Sequence, residues 1–294
     1  MDIFRKITAA LKGRQDGPIP QEREGGDFSP SISVHGSNGK GKAGWVSPVY
    51  SRSTTAILDP VTVSENRCVT LLPNSPEIEF YRTLRTRILR RTAEAGGNTF
   101  MVTSALPGEG KTLTAVNLAF SFARDYRRTA LLVDCDLRQQ SVHRYLGTPG
   151  EKGLIDYLVG DAELSDLIVW PGVEKVTLIS GGRPYPESTE LLASPRMAEL
   201  VGEMKTRYPE RLIFFDLPPI LSCADALAFA PLVDWVLVVV RSGRTSIADV
   251  NRALQLLPRE KLMGLVLNGQ KNLAPTHGDG PYRRGYGYGY GYGG

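Results

Sequence analysis

The stretch TSALPGEGKT, residues 103 to 112, has the residue types and spacing to hold a chain of phosphates. Gly108 and Gly110, with Pro107 and Glu109 beside them, free the backbone to wrap its amides around phosphate oxygens. Lys111 adds a point charge for the terminal phosphates, and Thr112 offers a hydroxyl to a magnesium ion. The small residue Ala105 stands where a first glycine is usual. Two acidic segments complement this loop. LLVDCDLR puts Asp134 and Asp136 just past an apolar run, with Arg138 beside them, and LIFFDLPP puts Asp216 at another strand end that Pro218 and Pro219 terminate. One such aspartate alone reads as a cap or turn residue. Two acidic strand ends beside a phosphate loop point to a divalent ion on the phosphates, which needs hard oxygen ligands and keeps several waters. A third feature closes the chain: PYRRGYGYGYGYGG carries Tyr282, Tyr286, Tyr288, Tyr290 and Tyr292, four of them alternating with glycine. Glycine supplies no packing and maximal backbone freedom, so these rings read as a low-complexity tail or as something that is acted upon.

The elements that must position these groups alternate along the chain. Short apolar segments (TFMVTS, TALLVD, KVTLIS, RLIFFDLP, DWVLVVVR and MGLVLNG) read as strands. Helices are expected over residues 111–124, 153–159, 195–208, 224–230 and 245–257. Near-continuous Val/Ile/Leu strands separated by helices predict an α/β fold, a mostly parallel sheet covered on both faces. Ligands in such a fold bind beyond the carboxyl ends of the strands, and the loop and both acidic segments fall there. An earlier helix is expected in NSPEIEFYRTLRTRILRR, with Ser75 as N-cap, Pro76 in the first position and Gly96-Gly97 after its end. Ile78, Tyr81, Leu84 and Ile88 share one face of it; Glu79 and Arg82 lie away from that face and Arg85 sits at its edge.

The 294 residues are 41% hydrophobic and 22% charged, enough for one sizeable core with tails. Net charge is +4, with the arginine pairs scattered, so nucleic acid is not an expected partner. Cys68, Cys135 and Cys223 show no metal-ligand or CxxC spacing, which fits a reducing compartment. The longest apolar run, near WVLVVV, is far short of the roughly 20 residues of a membrane helix. No signal-peptide core is present, and a cytoplasmic location is expected. Residues 1–60 read as an N-terminal segment. Ile3, Phe4, Ile7 and Leu11 stand at helical spacing beside Arg5, Lys6 and Lys12, a frayed terminus or a short helix for a partner or anionic lipid; a Gly/Ser/Pro-rich linker expected to be disordered follows from Gly13 to about Ser53. Residues 61–274 form the expected catalytic domain, with order resuming near Val61, and residues 275–294 a flexible tail.

In combination, ALPGEGKT, LLVDCDLR (a Walker A′ motif) and LIFFDLPP (Walker B) resemble the bacterial tyrosine kinases, P-loop NTPases that autophosphorylate and act in exopolysaccharide and capsule export. The resemblance runs over roughly residues 74 to 294. EFYRTLR is similar to the family's E-x-x-R-x-x-R element on Glu79, Arg82 and Arg85, which implies ring-like self-association. SGGRPYPESTELLASPRM resembles the segment before Walker B, with Ser188-Thr189 in place of Asn-Pro. The tyrosine tail resembles the family's autophosphorylation cluster. The resemblance implies ATP and Mg2+ as cofactors, Asp134 as base toward the tyrosine hydroxyl, and Asp136 and Asp216, with Thr112, around the metal. A phenol with pKa about 10 benefits from a carboxylate base, but spacing alone does not say which aspartate serves. By analogy with related P-loop ATPases, Asn268 faces the nucleotide base; a satisfied turn asparagine is the equal alternative. The resemblance also implies a separate transmembrane polysaccharide co-polymerase that activates the kinase and recruits it to the inner face of the membrane, and a tyrosine phosphatase that resets it.

Two other classes share part of this pattern. A MinD/ParA-type ATPase switch carries an early signature lysine where Leu106 stands here, and has no tyrosine tail. A non-catalytic, nucleotide-dependent adaptor of a polysaccharide exporter would use the tail as an adhesive. Phosphate retained covalently on the denatured protein separates the kinase from both.

Overall fold

A computed structural model of the chain describes residues 53–270 except 73, 74 and 126. The expected N-terminal helix, the linker up to residue 52 and the five tail tyrosines lie outside the described residues. The elements begin with strand β1 (Thr54–Thr55), helices α1 (Pro60–Glu65) and α2 (Ile78–Ala95), β2 (Thr99–Ser104), α3 (Lys111–Phe122) and β3 (Thr129–Asp134). Short helices α4 (Val142–Leu146), α5 (Leu154–Val159) and α6 (Leu164–Leu167) lead to β4 (Val169–Trp170) and β5 (Val176–Ile179). Then come α7 (Ser188–Leu192), α8 (Pro195–Arg207), β6 (Arg211–Asp216), α9 (Asp225–Phe229), β7 (Trp235–Arg241), α10 (Ile247–Gln255) and β8 (Leu262–Asn268).

The strands form one eight-stranded sheet in the order β1-β4-β5-β3-β6-β2-β7-β8. Every pairing is parallel except β4 with β5. Side chains of a strand alternate between faces, and both faces of the inner strands are buried, whereas the edge strand β8 leaves Leu265 and Leu267 exposed. In β6, Ile213 and Phe215 enter a core with Met197, Leu200, Val201 and Met204 of α8, whereas Leu212 and Phe214 enter a second core with Val116, Leu118 and Phe120 of α3. This is the expected two-sided burial of continuous apolar strands. Phe214 is central to the second core, its ring 5.1 Å from that of Phe100 and 5.5 Å from that of Phe122.

Several boundaries differ from expectation. Regular structure begins before Val61: β1 pairs with β4, and Asp59 caps α1 through bonds from the Val61 and Thr62 amides at 3.2 and 3.1 Å. Helix α2 starts at Ile78 rather than at Pro76, because the Ser75 hydroxyl donates to the Glu77 carboxylate at 2.5 Å and does not cap the helix. It ends, as the glycine pair suggested, at Gly96 with φ of 75°. The two-residue strands β1 and β4 carry too short a pattern to be read from sequence.

Truncating Phe214 to alanine removes a side chain that is fully buried between two rings. The expected cost is about 3–5 kcal/mol of unfolding free energy, measured by urea denaturation; a loss below about 1 kcal/mol would contradict this packing.

Candidate active site

Strands β3 and β6 lie side by side in parallel register, and Asp134 is the direct partner of Asp216. Register alone thus sets two carboxylates together at the carboxyl ends of the strands, both fully buried. Asp134 accepts three main-chain bonds: the Asp136 amide at 3.1 Å on Oδ1, and the Ser141 and Val142 amides at 2.9 and 3.0 Å on Oδ2. These bonds fold the loop after β3 back on itself and turn Asp136 toward the phosphate loop. Lys111, the first residue of α3, reaches Asp136 Oδ2 at 2.8 Å and Asp216 Oδ2 at 3.5 Å. Thr112 donates to Asp216 Oδ2 at 2.5 Å, and its hydroxyl lies 3.1 Å from that of Ser141. Lys111, Thr112, Asp134, Asp136 and Asp216 therefore come together in one place.

The glycines of the loop serve different ends. Gly108 has φ of +75°, and a Cβ built on it would meet nothing within 4 Å, so open space lies before the loop. Gly110 has φ of +91°, and a Cβ there would stand 2.1 Å from Asn268 Nδ2. That amide donates to the Glu109 carbonyl at 2.8 Å, while Asn268 Oδ1 accepts from Gly269 N at 2.8 Å. Asn268 thus braces the loop from behind. Glu109 is buried, its carboxylate turned into the protein: Oε2 accepts from the Leu106 amide at 2.8 Å, and Oε1 accepts from the Arg241 amide at 3.3 Å and from the Thr245 hydroxyl. Arg241 also donates to the Gly108 carbonyl at 2.8 Å. A carboxylate facing the cradle would repel phosphate; turned inward it ties the loop to the end of β7.

Three carboxylates face one ammonium group. Burial disfavours a charged lysine, yet Asp216 and Asp136 overcome it and hold Lys111 firmly protonated. Burial, reinforced by Asp216, pushes Asp134 up to about 7, and burial likewise raises Asp216 against the pull of Lys111. Asp216 Oδ1 is buried without a hydrogen-bond partner. An excess of buried negative charge, an orphaned carboxylate oxygen and a threonine hydroxyl together fit a hard divalent cation. No group of three or more His, Cys, Asp or Glu among the described residues forms a metal-ligand set by itself.

Two contributors escaped the sequence. Ser141 lies seven residues beyond Asp134 with no motif to mark it. Asp225, at the start of α9, accepts from Ser188 Oγ and Thr189 Oγ1 at 2.5 Å each and from Arg138 Nε at 3.4 Å. The Ser188-Thr189 pair therefore replaces Asn-Pro with two hydroxyls that orient Arg138 through a buried carboxylate. Of the E-x-x-R-x-x-R residues, Glu79 and Arg82 pair on the surface, whereas Arg85 turns inward to the Ser121 carbonyl of α3.

A phosphate loop between β2 and α3, faced by acidic ends of adjacent parallel strands, defines a P-loop protein that binds a nucleotide with a divalent metal. No family model matches the chain. It is 34% identical over 201 residues to the tyrosine-protein kinase YwqD of Bacillus subtilis, covering 68% of this chain and 84% of that protein. It is 32% identical over 198 residues to the tyrosine-protein kinase wzc of Salmonella typhimurium, where 67% of this chain matches 27% of the relative's length. The kinase domain of the Escherichia coli tyrosine kinase ETK superposes with a TM-score of 0.62 at 31% identity, over 73% of this chain and 80% of that one. The chain belongs to the bacterial tyrosine-kinase family, and its enzyme class is that of a protein-tyrosine kinase. No helix among the described residues is long and apolar enough to cross a membrane.

The charge excess has a consequence for stability. A carboxylate whose folded pKa lies near 7 against about 3.9 unfolded binds its proton more tightly when folded, so stability falls as pH rises from about 4 to about 7. Asp216→Asn removes the charge that reinforces this rise. The ligand-free variant should melt above the wild type at pH 8, with the difference shrinking toward pH 5 in scanning calorimetry. A variant less stable than wild type at pH 8 would contradict the charge balance.

Proposed function

We propose that this chain is an ATP-dependent tyrosine autokinase that phosphorylates its own C-terminal cluster, Tyr282, Tyr286, Tyr288, Tyr290 and Tyr292, in trans, and so regulates polymerisation or export of an exopolysaccharide or capsule. The observation that carries the reading is a phosphate loop opposed by Asp134, Asp136 and Asp216 in a chain that ends on alternating tyrosine and glycine. The kinase domain comprises residues 54–274, since β1 belongs to its sheet and Asp59 caps α1; it is preceded by the segment 1–53 and followed by the tail 275–294.

ATP is the donor substrate. Amides from Gly108 to Thr112 receive its phosphates at the start of α3, and Lys111 exchanges its carboxylate partners for phosphate oxygens. Mg2+, when bound, neutralises charge on the phosphates, with Thr112, Asp136 and Asp216 holding it or its waters. Asp134 accepts the proton of the incoming tyrosine hydroxyl, and burial raises its proton affinity. Glu109, Pro107 and Asn268 keep the loop in shape.

Self-association into a ring brings each tail to a neighbour's site. A Gly-rich coil as long as the stretch from Asn268 to Gly294 would span on the order of 25–30 Å root-mean-square. Each phosphate adds about −1.5 to −2 charge, and a heavily phosphorylated tail is repelled by the acidic site and by its neighbours. A transmembrane polysaccharide co-polymerase stimulates the kinase and holds it at the inner face of the membrane, and a tyrosine phosphatase resets it. The relative named succinoglycan biosynthesis transport protein ExoP, from Rhizobium meliloti, 33% identical over 214 residues, supports the polysaccharide link.

Lys111→Met should reduce ATP-dependent phosphotyrosine by at least about 100-fold while the protein stays folded, since the lysine is placed for phosphate charge. Mass spectrometry of the region from Tyr282 to Tyr292, with and without phosphatase, reads this directly, and undiminished phosphotyrosine would sink the assignment.

Because Arg85 holds α3, the double variant Glu79→Ala/Arg82→Ala tests association without disturbing that packing. It should lower the assembled mass in light scattering. An unchanged mass across concentrations would reduce the pair to a surface ion pair worth a few tenths of a kcal/mol.

Replacing all five tail tyrosines by phenylalanine should hold the larger assembly in the presence of ATP. Sedimentation at matched salt should show the phosphorylated wild type as smaller; equal assembly of both forms would remove the switch.

A further inference from the structure

A cleft of about 790 Å³ opens beside the acidic site and is lined by Arg138, Gln140, His143, Arg144, Glu151 and Arg183, with the small or rigid residues Gly150, Gly182 and Pro184 along its walls. Three arginines face one glutamate, so its field favours an anion. The cleft is built rather than incidental. Arg138 is held by Ser188 Oγ at 2.8 Å and by the buried Asp225, which keeps its guanidinium at the edge of the cleft. Arg144 donates to the carbonyls of Gln139 and Gln140, which fixes it against the loop after β3. Gln140 is only 4% exposed, and its Nε2 has no hydrogen-bond partner; His143 Nδ1 is likewise buried without one. Both side chains are confined by close backbone: a Cβ on Gly181 would fall 2.6 Å from Gln140 Cγ, and one on Gly150 2.4 Å from His143 Cγ.

The place of the cleft says what it serves. Gln140 and His143 flank Ser141 and Val142, whose amides hold Asp134, and the Ser141 hydroxyl lies 3.1 Å from that of Thr112. The nucleotide phosphates have their own cradle in the loop before α3. The cleft is too large for a bare oxyanion and has room for an aromatic ring and its backbone. Guanidinium groups pair with phosphate through two-pronged, charge-assisted bonds.

We propose that this cleft binds phosphotyrosine, and that its occupant is the chain's own C-terminal segment, Pro281–Gly294, after it has received a phosphate. The proposal rests on the autokinase reading above. Tyrosines two residues apart lie roughly 6.6 Å from one another along an extended backbone. Because Gln140 and His143 flank the residues whose amides hold Asp134, a phosphorylated ring held in the cleft leaves the next tyrosine on the side of the acidic strand ends. The glycines between them carry no side chain to obstruct a neighbouring ring. The first phosphate primes the next, and the cluster fills in runs rather than at random.

The test uses the full chain as Lys111→Met, which adds no phosphate of its own, and two synthetic peptides of residues 281–294. One is unmodified and the other carries a single phosphotyrosine at 288. Fluorescence anisotropy should show the phosphopeptide binding about tenfold more tightly. Arg183→Glu in the same background should abolish that preference, whereas Arg127→Glu, the same charge change outside the cleft, should keep it. Equal affinity for both peptides, or a preference that survives Arg183→Glu, would overturn the proposal. So would inorganic phosphate displacing the phosphopeptide at the peptide's own concentration, which would mark a site for phosphate alone. With Lys111 restored, Arg183→Glu should leave the rate of the first tail phosphorylation unchanged and accumulate singly phosphorylated tails by mass spectrometry; an unaltered distribution would refute priming. The peptide arm requires no catalysis, so its failure is distinct from absence of phosphotyrosine in the wild type, which would sink the autokinase reading instead.

Discussion

The site depends on one arrangement: three carboxylates, Asp134, Asp136 and Asp216, drawn around the single ammonium group of Lys111. Two of them are fully buried because parallel register makes them neighbours at the ends of β3 and β6. Such a cluster is costly in a folded protein, since removing charge from water is only partly offset by one lysine. It raises the proton affinity of Asp134 and leaves Asp216 Oδ1 without a partner. The same excess of charge that weakens the free protein suits a nucleotide bound with a divalent metal.

The phosphate loop answers a different constraint. It must present amides outward while remaining a loop, and a flexible loop would lose that shape. Glu109 and Asn268 supply the missing rigidity from behind, linking the loop to the ends of β7 and β8. Gly110 is small because Asn268 occupies the place where a side chain would stand. Charge placement is economical here: the one carboxylate in the loop is turned away from the phosphates and bonded to main-chain and hydroxyl donors.

Beyond Asp136 the chain changes from acid to base. Arg138, held by Asp225 and by Ser188 at the start of α7, stands between the acidic strand ends and the arginine-lined cleft. One loop thus carries opposite charge on its two sides. In the autokinase proposed above, this arrangement would keep donor phosphate apart from phosphorylated product without any moving part.

Much of this was legible in the amino-acid sequence. The loop from Ala105 to Thr112, the acidic strand ends, the two-sided apolar strands and the family resemblance all rest on local patterns, because strand periodicity and turn chemistry are properties of neighbouring residues. The start of α2 was misplaced because a hydroxyl near a helix end has competing partners, and Ser75 takes Glu77. The two-residue strands β1 and β4, the inward turn of Arg85 and Glu109, and the parts played by Ser141, Asp225 and the arginine cleft were decided by tertiary structure alone. Each depends on contacts between segments far apart in the chain: Asp216 beside Asp134 by register, Asp225 reaching Arg138 across 87 residues, Asn268 reaching Glu109 across 159. Sequence determines which chemistry a residue can offer. Which partner it meets is settled only when strands pair, since register and side-chain direction are not local quantities.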